Sequence, residues 1–355
     1  MGHEIGVIGG DGIGPEVVAA TREVLDAVAD VHSLDLSYVE HGWSCRGYAE
    51  TGSMMPDDGL DRLAQHDAIL LGAVGWPGVP DHVSLWGLLI PIRRHFRQYV
   101  NERPIALFEG MESPLRRLEP GGLDLVVVRE NVEGEYSEIG GRLNRGFPDE
   151  LAIQEAVFTR AGVTRIVDHA FALARTRRGY VTSATKSNGI IHTMPFWDEV
   201  VRERAEQHPD VRCDQELIDA FAAKVVLDPG RFDVIVASNL FGDILSDLTA
   251  AVAGSIGIAP SANLDPTREH PSMFEPVHGS APDIAGQGVA NPIGTVWSAV
   301  MMLDHLGHGE AATELMAAVR ASLRDPATRT RDLGGTADTA AVTAALVAHV
   351  RGRTS

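Results

Sequence analysis

Cysteine is scarce. Cys45 and Cys213 are the only two in 355 residues, with no CxxC pair. A disulfide scaffold is therefore excluded, the pattern fits a reducing cytoplasm, and both thiols read as structural. No apolar run approaches the ~18 residues needed to span a bilayer, so no membrane segment is expected. The opening Met1-Gly2-His3-Glu4 has no charged-then-apolar signal region. Gly6 stands where a myristoylation motif wants Ser or Thr. Positive charge is also short, with 30 Lys and Arg against 49 Asp and Glu, a formal net charge of −19. An acidic surface of this kind argues against nucleic acid or anionic membrane as a partner. A small anionic substrate stays open, provided cations cluster locally. Repeats, low-complexity tails and a phosphate-cradling GxxxxGK[ST] loop are all missing, the last of which removes a Mg²⁺-dependent phosphoryl-transfer reading of the acidic residues described below.

The chain is 44% hydrophobic, ample for a large core, and its length suggests two domains. Ile5-Gly6-Val7-Ile8 reads as a strand that ends in Gly9-Gly10-Asp11-Gly12-Ile13-Gly14-Pro15. A helix is expected over about 17–29, then strands over 36–39 and 68–73. This strand–helix–strand spacing predicts an α/β fold with a largely parallel sheet and helices on both faces. Residues 134–150, rich in Gly, Glu and Arg, read as a protruding arm or hairpin. Amphipathic helices are expected over 295–305 and 310–323, and an Ala/Val-rich helix over 336–350, capped near Asp338.

Three apolar runs deliver charge at their ends. Leu125-Val126-Val127-Val128 leads to Arg129, Tyr180-Val181-Thr182-Ser183 leads to Lys186, and Val234-Ile235-Val236 leads to Ser238-Asn239-Leu240-Phe241-Gly242-Asp243-Ile244-Leu245-Ser246-Asp247. Open α/β sheets place their sites at the carboxyl ends of strands. Asp243 and Asp247 are four apart and share one helix face. Their mutual repulsion asks for a cation, and hard carboxylate oxygens suit Mg²⁺ or Mn²⁺ better than Zn²⁺.

The glycine loop Gly9-x-x-Gly12-x-Gly14 is not GxGxxG, and no acidic residue is well placed after a second strand. It reads as a tight turn into a helix that starts with Pro15 rather than as a Rossmann loop. Arginines gather at Arg93, Arg94, Arg97, Arg103 and Arg129. Arg94 and Arg97 read as a solvated face, whereas Arg129 after four apolar residues belongs at the core edge. The run Glu275-Pro276-Val277-His278-Gly279-Ser280-Ala281-Pro282-Asp283 is a compact loop. On its own, His278 is equally a structural histidine or a ligand contact.

Taken together, these segments resemble the metal-dependent β-decarboxylating dehydrogenases: isopropylmalate, isocitrate, tartrate and D-malate dehydrogenases. The likeness runs from Gly9 to about Leu306, and residues 239–258, with Gly254-Ser255-Ile256-Gly257, carry the specific signature. It implies an isopropylmalate dehydrogenase-like fold with two α/β domains sharing a mostly parallel sheet, not an ordinary Rossmann fold. A large domain of residues 1–100 and 255–355 would hold the NAD-binding loop. A small domain of residues 101–254 would hold the metal and substrate residues and the dimer interface. Within the family, Gly72-Ala73-Val74-Gly75-Trp76-Pro77, Val79-Pro80-Asp81-His82-Val83-Ser84-Leu85-Trp86-Gly87 and Thr182-Ser183-Ala184-Thr185-Lys186-Ser187-Asn188-Gly189 are closest to tartrate and D-malate dehydrogenases. Isopropylmalate dehydrogenases usually carry Glu where Trp86 stands. Isocitrate dehydrogenases usually supply Ser and Asn there, and only Ser84 has a counterpart.

The resemblance assigns roles by position. Arg93, Arg103 and Arg129 would hold substrate carboxylates, with Ser84, Trp86 and Leu89 near the variable substrate group. Lys186 would be the general base and Tyr136 the acid of the second half-reaction. Asp243 and Asp247 would bind Mg²⁺ or Mn²⁺ from one subunit. Asp219, like Lys186, would come from the neighbouring one, making a homodimer obligatory. Glu275, His278, Gly279, Ser280, Ala281, Asp283 and Asn291 would bind NAD, with Asn188 on the nicotinamide side. Asp283 can accept a ribose diol but would repel a 2′-phosphate, favouring NAD over NADP. The implied reaction is oxidative decarboxylation of a (2R)-2-hydroxy dicarboxylate, D-malate or tartrate first. 3-Isopropylmalate or another 3-substituted malate is the alternative, and a non-catalytic regulatory subunit the remote one. A K⁺ site is left open.

Overall fold

The structure, a computed structural model, describes residues 2–352. The chain divides into two compact units. One comprises Met1–Gln98, Arg103–Leu123 and Ala250–Ser355; the other comprises Tyr99–Glu102 and Asp124–Thr249. The strands in chain order are β1 (His3–Gly10), β2 (Leu36–Glu40), β3 (Ala68–Ala73), β4 (Val100–Ala106), β5 (Asp124–Glu130) and β6 (Gly140–Leu143). They continue as β7 (Leu151–Gln154), β8 (Tyr180–Thr185), β9 (Arg212–Leu217), β10 (Val234–Ala237), β11 (Pro260–Leu264) and β12 (Ser272–Pro276). The result is a mixed α/β protein with a large, mostly parallel sheet, as expected from the alternation of apolar runs and helices.

In the first unit β1 pairs in parallel with β2 and β3, β3 in parallel with β12, and β12 antiparallel with β11. Ile5, Val7 and Ile8 are fully buried on β1, as is all but a trace of β3. Continuous apolar runs of this kind suit strands covered on both faces. Each such side chain contributes about 1.5–3 kcal/mol through burial. The helix Gly14–His32 begins with a proline in its first turn, where the absent N–H costs nothing. Gly12 has φ +60, and a Cβ there would lie 1.9 Å from the Ser280 carbonyl oxygen. The glycine loop is thus a close backbone approach to the 275–283 loop, held by the Ile13 N–H donating to Ser280 O at 2.8 Å. The helix Thr339–Val350 is capped by Asp338, whose side chain accepts the Ala341 N–H, so the expected cap is found and the helix begins three residues inside the expected start.

In the second unit β10 lies in parallel between β5 and β8, and β9 follows β8. Val234 pairs with Val126 on one side and Val181 on the other. Three parallel strands in near-common register therefore end together. The expected arm contains an antiparallel hairpin of β6 and β7, every strand residue of which is exposed.

One feature of the chain is not evident from its apolar pattern. The helical stretch from Asp81 to His95 contains a π-helical turn at Leu85–Leu89. The Ile90 N–H donates to Leu85 O, five residues back. Pro91 has no N–H for the carbonyl of residue 87, and the wider turn accommodates that loss.

Candidate active site

The carboxyl edge of β5, β10 and β8 gathers the charged side chains of the second unit. Arg129 is 2% exposed at the end of β5, paired in register with Ala237. Immediately beyond Ala237 the helix Asn239–Val252 begins. Its Gly242 makes room for the arginine, since a Cβ there would lie 2.6 Å from Arg129 Cβ. Arg129 Nε and Nη2 both donate to Asn239 Oδ1, at 3.1 and 2.7 Å, and Nη1 donates to Asp243 Oδ1. The other oxygen of Asp243 accepts the Tyr136 hydroxyl at 2.9 Å. Arg129 also lies 5.5 Å from the centre of the Tyr136 ring. Burial raises the Tyr136 phenol pKa above its ordinary value, the Asp243 charge raises it further, and Arg129 opposes both. Asp243 is half-buried, whereas Asp247, a turn later, is exposed.

The segment leading to Tyr136 is pinned by three glutamates. Glu130 Oε1 accepts the N–H groups of Asn131, Val132 and Glu133, and burial pushes its carboxyl up to about 7. Glu133 accepts from Thr159 N and Oγ1 at 2.9 and 2.8 Å. Glu135 accepts from Ser238 Oγ at 2.8 Å and Leu240 N at 3.0 Å. Sequence alone assigns no role to Asn239 or these glutamates. Asn239 carried a usable signal, being a polar residue just past a strand. The glutamates lie beside Tyr136; Glu130 bonds the three N–H groups that follow it, whereas the partners of Glu133 and Glu135 are at least 26 residues away.

Lys186 follows β8 directly and donates to Asp219 Oδ1 at 2.7 Å. That bond lowers the Asp219 carboxyl below its usual range. Asp219 is exposed at the start of the helix Ile218–Leu227, and Asn188 is exposed in the turn after Lys186. Among the described residues, no three His, Cys, Asp or Glu side chains gather as a metal centre. Within one chain, Asp219 keeps company with Lys186, and Asp243 with Arg129 and Tyr136.

In the first unit the substrate and cofactor candidates partly meet each other. Arg93 Nη2 donates to Glu275 Oε1 at 2.6 Å, and both side chains are buried. Asn263 donates to the same oxygen at 2.8 Å. Arg103 is buried on β4. Ser84 donates to Asp81 O at 3.0 Å, Trp86 stacks 5.0 Å from the Arg94 guanidinium, and Leu89 packs on the core around Ile8 and Leu71. Arg97 pairs with Glu269 on the surface, the solvated role expected of it. The loop after β12 rests on Ile13, Val17 and Ala290 through Ala281 and Ile284. Ala281 takes a left-handed φ of 39, and Ser280 is buried while Gly279 and Asp283 are exposed. Asn291 donates to Asp332 Oδ2 at 3.0 Å. The His278 Nδ1–H donates to Gly279 O at 3.0 Å, the carbonyl being able only to accept. Desolvation lowers the His278 pKa, which favours the neutral ring, and its Nε2 is buried with no partner among the described residues.

Comparison with known proteins shows the family of the chain. A family model described as isocitrate/isopropylmalate dehydrogenase matches residues 4–350. A probable tartrate dehydrogenase/decarboxylase of Bacillus subtilis is 54% identical over 350 residues, 98% of each chain. The D-malate dehydrogenase (decarboxylating) of Escherichia coli is 57% identical over 309 residues, 86% of each chain. Among solved structures, isocitrate dehydrogenase from Methylococcus capsulatus matches with a TM-score of 0.89 at 35% identity, covering 98% of this chain and 99% of that one. An oxidoreductase with the isocitrate dehydrogenase-like fold, this chain belongs to the isocitrate/isopropylmalate dehydrogenase family.

Proposed function

We propose that the protein oxidises a (2R)-2-hydroxy dicarboxylate with NAD⁺ and releases its β-carboxylate as CO₂, with D-malate and tartrate as the favoured substrates. The observation that carries this reading is the meeting of Arg129, Asp243 and Tyr136 where β5 and β10 end. It joins an anion binder, a hard oxygen donor and a proton donor at one edge. The names of the relatives from Bacillus subtilis and Escherichia coli support the choice of substrate.

Asp243 and Asp247 offer carboxylates one turn apart on one helix, a donor set that suits Mg²⁺ or Mn²⁺. The lone acceptor at His278 Nε2 fits an adenine amine, and the exposed Asp283 carboxylate fits a ribose diol, so the loop suits NAD. When bound, the ion would supply Lewis acidity to the substrate hydroxyl, and NAD⁺ would accept the hydride.

The chain's own residues supply the rest. Arg129 binds a substrate carboxylate in two-pronged fashion, and Arg93 and Arg103 keep the substrate-binding role that the family likeness gives them. Lys186 takes the hydroxyl proton. It can do so only as the neutral amine, which requires Asp219 to release it. Loss of that proton and of the carbinol hydride leaves a ketone. The bond to the β-carboxylate then breaks, CO₂ departs, and the electron pair moves toward the carbonyl. Tyr136 donates its phenol proton to the carbon left behind.

Lys186 pairs with Asp219, while Asp243 meets Arg129 and Tyr136, which supports delivery of the lysine and Asp219 as a unit to a second copy. The exposed Ile139, Leu143, Phe147 and Ile153 around the β6–β7 hairpin form an apolar patch of the kind that marks an interface. A homodimer sharing its metal site is therefore part of the proposal. The two cysteines are unpaired, which suits a reducing cytoplasm. No helix among the described residues is long and apolar enough to cross a membrane.

A panel of 2-hydroxy diacids with Mn²⁺ and either NAD⁺ or NADP⁺ tests the reading. NADH and CO₂ are expected in equal amounts from D-malate or tartrate, with little turnover of NADP⁺. Failure of every diacid to reduce NAD⁺ would overturn it, and preference for isopropylmalate would move the substrate to a 3-substituted malate.

A further inference from the structure

We infer that Glu135 is a positioning residue that holds the Tyr136 hydroxyl against Asp243 by tying the tyrosine's loop to the first turn of the helix that carries both aspartates. The inference rests on the reading of Tyr136 as proton donor, but its geometry stands independently.

The loop is fixed on one side of Glu135 by its backbone. The Gly134 N–H donates to Val157 O at 2.8 Å, and the Val157 N–H donates back to Gly134 O at 3.0 Å. Gly134 has φ +95, a conformation that turns the chain sharply before Glu135. On the other side the Glu135 carboxylate divides its two oxygens. Oε1 takes the Ser238 hydroxyl and Oε2 takes the Leu240 N–H. The helix starts at Asn239, so that N–H is one of the donors that the first turn of a helix leaves without an internal acceptor. A carboxylate is favoured at this end by the helix dipole as well. Asp243 lies one turn further along the same helix. Glu135 therefore sets the distance between two neighbours in different elements: Tyr136, next to it in sequence, and Asp243, on the helix it caps.

The alternative is that Glu135 only stabilises the helix end and that the Gly134–Val157 bridge alone places Tyr136. Turnover separates the two. Misplacement of a reacting group by about 1 Å can cost up to 10²-fold in rate. Glu135→Ala is expected to lower kcat about tenfold or more while the KM for the diacid changes by less than about threefold. Glu135→Gln keeps the link, with its carbonyl accepting from Leu240 N and its amide donating to Ser238 Oγ, and restores kcat to within about threefold. In a Tyr136→Phe background, Glu135→Ala adds little further loss, because the group it positions is gone. An equal loss in the Ala and Gln variants assigns the effect to charge and overturns the inference, as does full additivity with Tyr136→Phe.

A readout independent of turnover is the ¹⁹F spectrum of protein made with 3-fluorotyrosine, whose Tyr136 signal is assigned by its absence from Tyr136→Phe. The chain has only five tyrosines. Glu135→Ala should shift or broaden that signal and Glu135→Gln should return it. A Tyr136 signal unmoved in the folded Ala variant overturns the inference even if no diacid is turned over. Should the Ala variant not fold, Ser238→Ala, which removes one of the two bonds, is judged by the same signal.

Discussion

One oxygen of Asp243 meets the Arg129 guanidinium and the other the Tyr136 hydroxyl. A divalent ion would compete with the first and neutralise the charge felt by the second. Asp243→Asn keeps the shape but removes the negative charge and one oxygen donor. It is expected to raise the Mn²⁺ concentration for half-maximal activity about tenfold or more, measured by titrating activity or by the paramagnetic resonance of bound Mn²⁺. An unaltered titration would count against Asp243 as a ligand. Lys186→Ala is expected to leave the circular dichroism spectrum intact and lower kcat about 10²-fold or more; unchanged turnover would refute the base assignment. At this scale the sequence revealed residues whose position follows from short spacing. Asp243 and Asp247 are legible because four residues make a turn, and Arg129 because a charge ends an apolar run. Pairs such as Arg93 with Glu275, 182 residues apart, leave no local trace. The three anchoring glutamates look like ordinary surface charge until their partners are seen.

Among elements, the mutual order of β5, β10 and β8 matters most. Their apolar runs announced buried parallel strands, and the charged residue after each announced the edge. Hydrophobic period does not report that β10 lies between the other two. Nor does it report the π-helical turn at Leu85–Leu89, which stems from one proline. Another element-level device lies at the other unit's β1–β3 region. His41 Nε2 and His66 Nε2 are 2.8 Å apart in the interior, and His66 Nδ1 is 2.9 Å from Glu4 Oε1. Burial lowers the His41 pKa below 6.5, and the charges of His66 and Arg62 lower it further. A histidine whose folded pKa is depressed binds fewer protons folded than unfolded. Its contribution to stability is therefore present above about pH 6.5 and is lost as the pH falls below it. Melting temperature should decline from pH 7 toward pH 5.5, and His41→Asn should flatten that decline. A slope identical to that of the unsubstituted protein would show that the pair does not couple to folding.

For the whole molecule, the α/β class and mostly parallel sheet followed from alternating patterns, whereas the assembly of a complete site did not. The reading proposed here divides the site between copies. Lys186 is paired with Asp219, and Asp243 with Arg129 and Tyr136. That division is tested most directly by coexpressing Lys186→Ala chains with Asp243→Asn chains and measuring NADH formation. At Mn²⁺ concentrations that saturate the unsubstituted protein but not Asp243→Asn, each variant alone is expected to be weakly active. In a mixed symmetric dimer one of the two sites would combine an intact lysine from one copy with an intact aspartate from the other, so random pairing should restore about a quarter of the unsubstituted activity. Mixed dimers with no more activity than the separate variants would place base and metal ligand in the same chain and contradict the account.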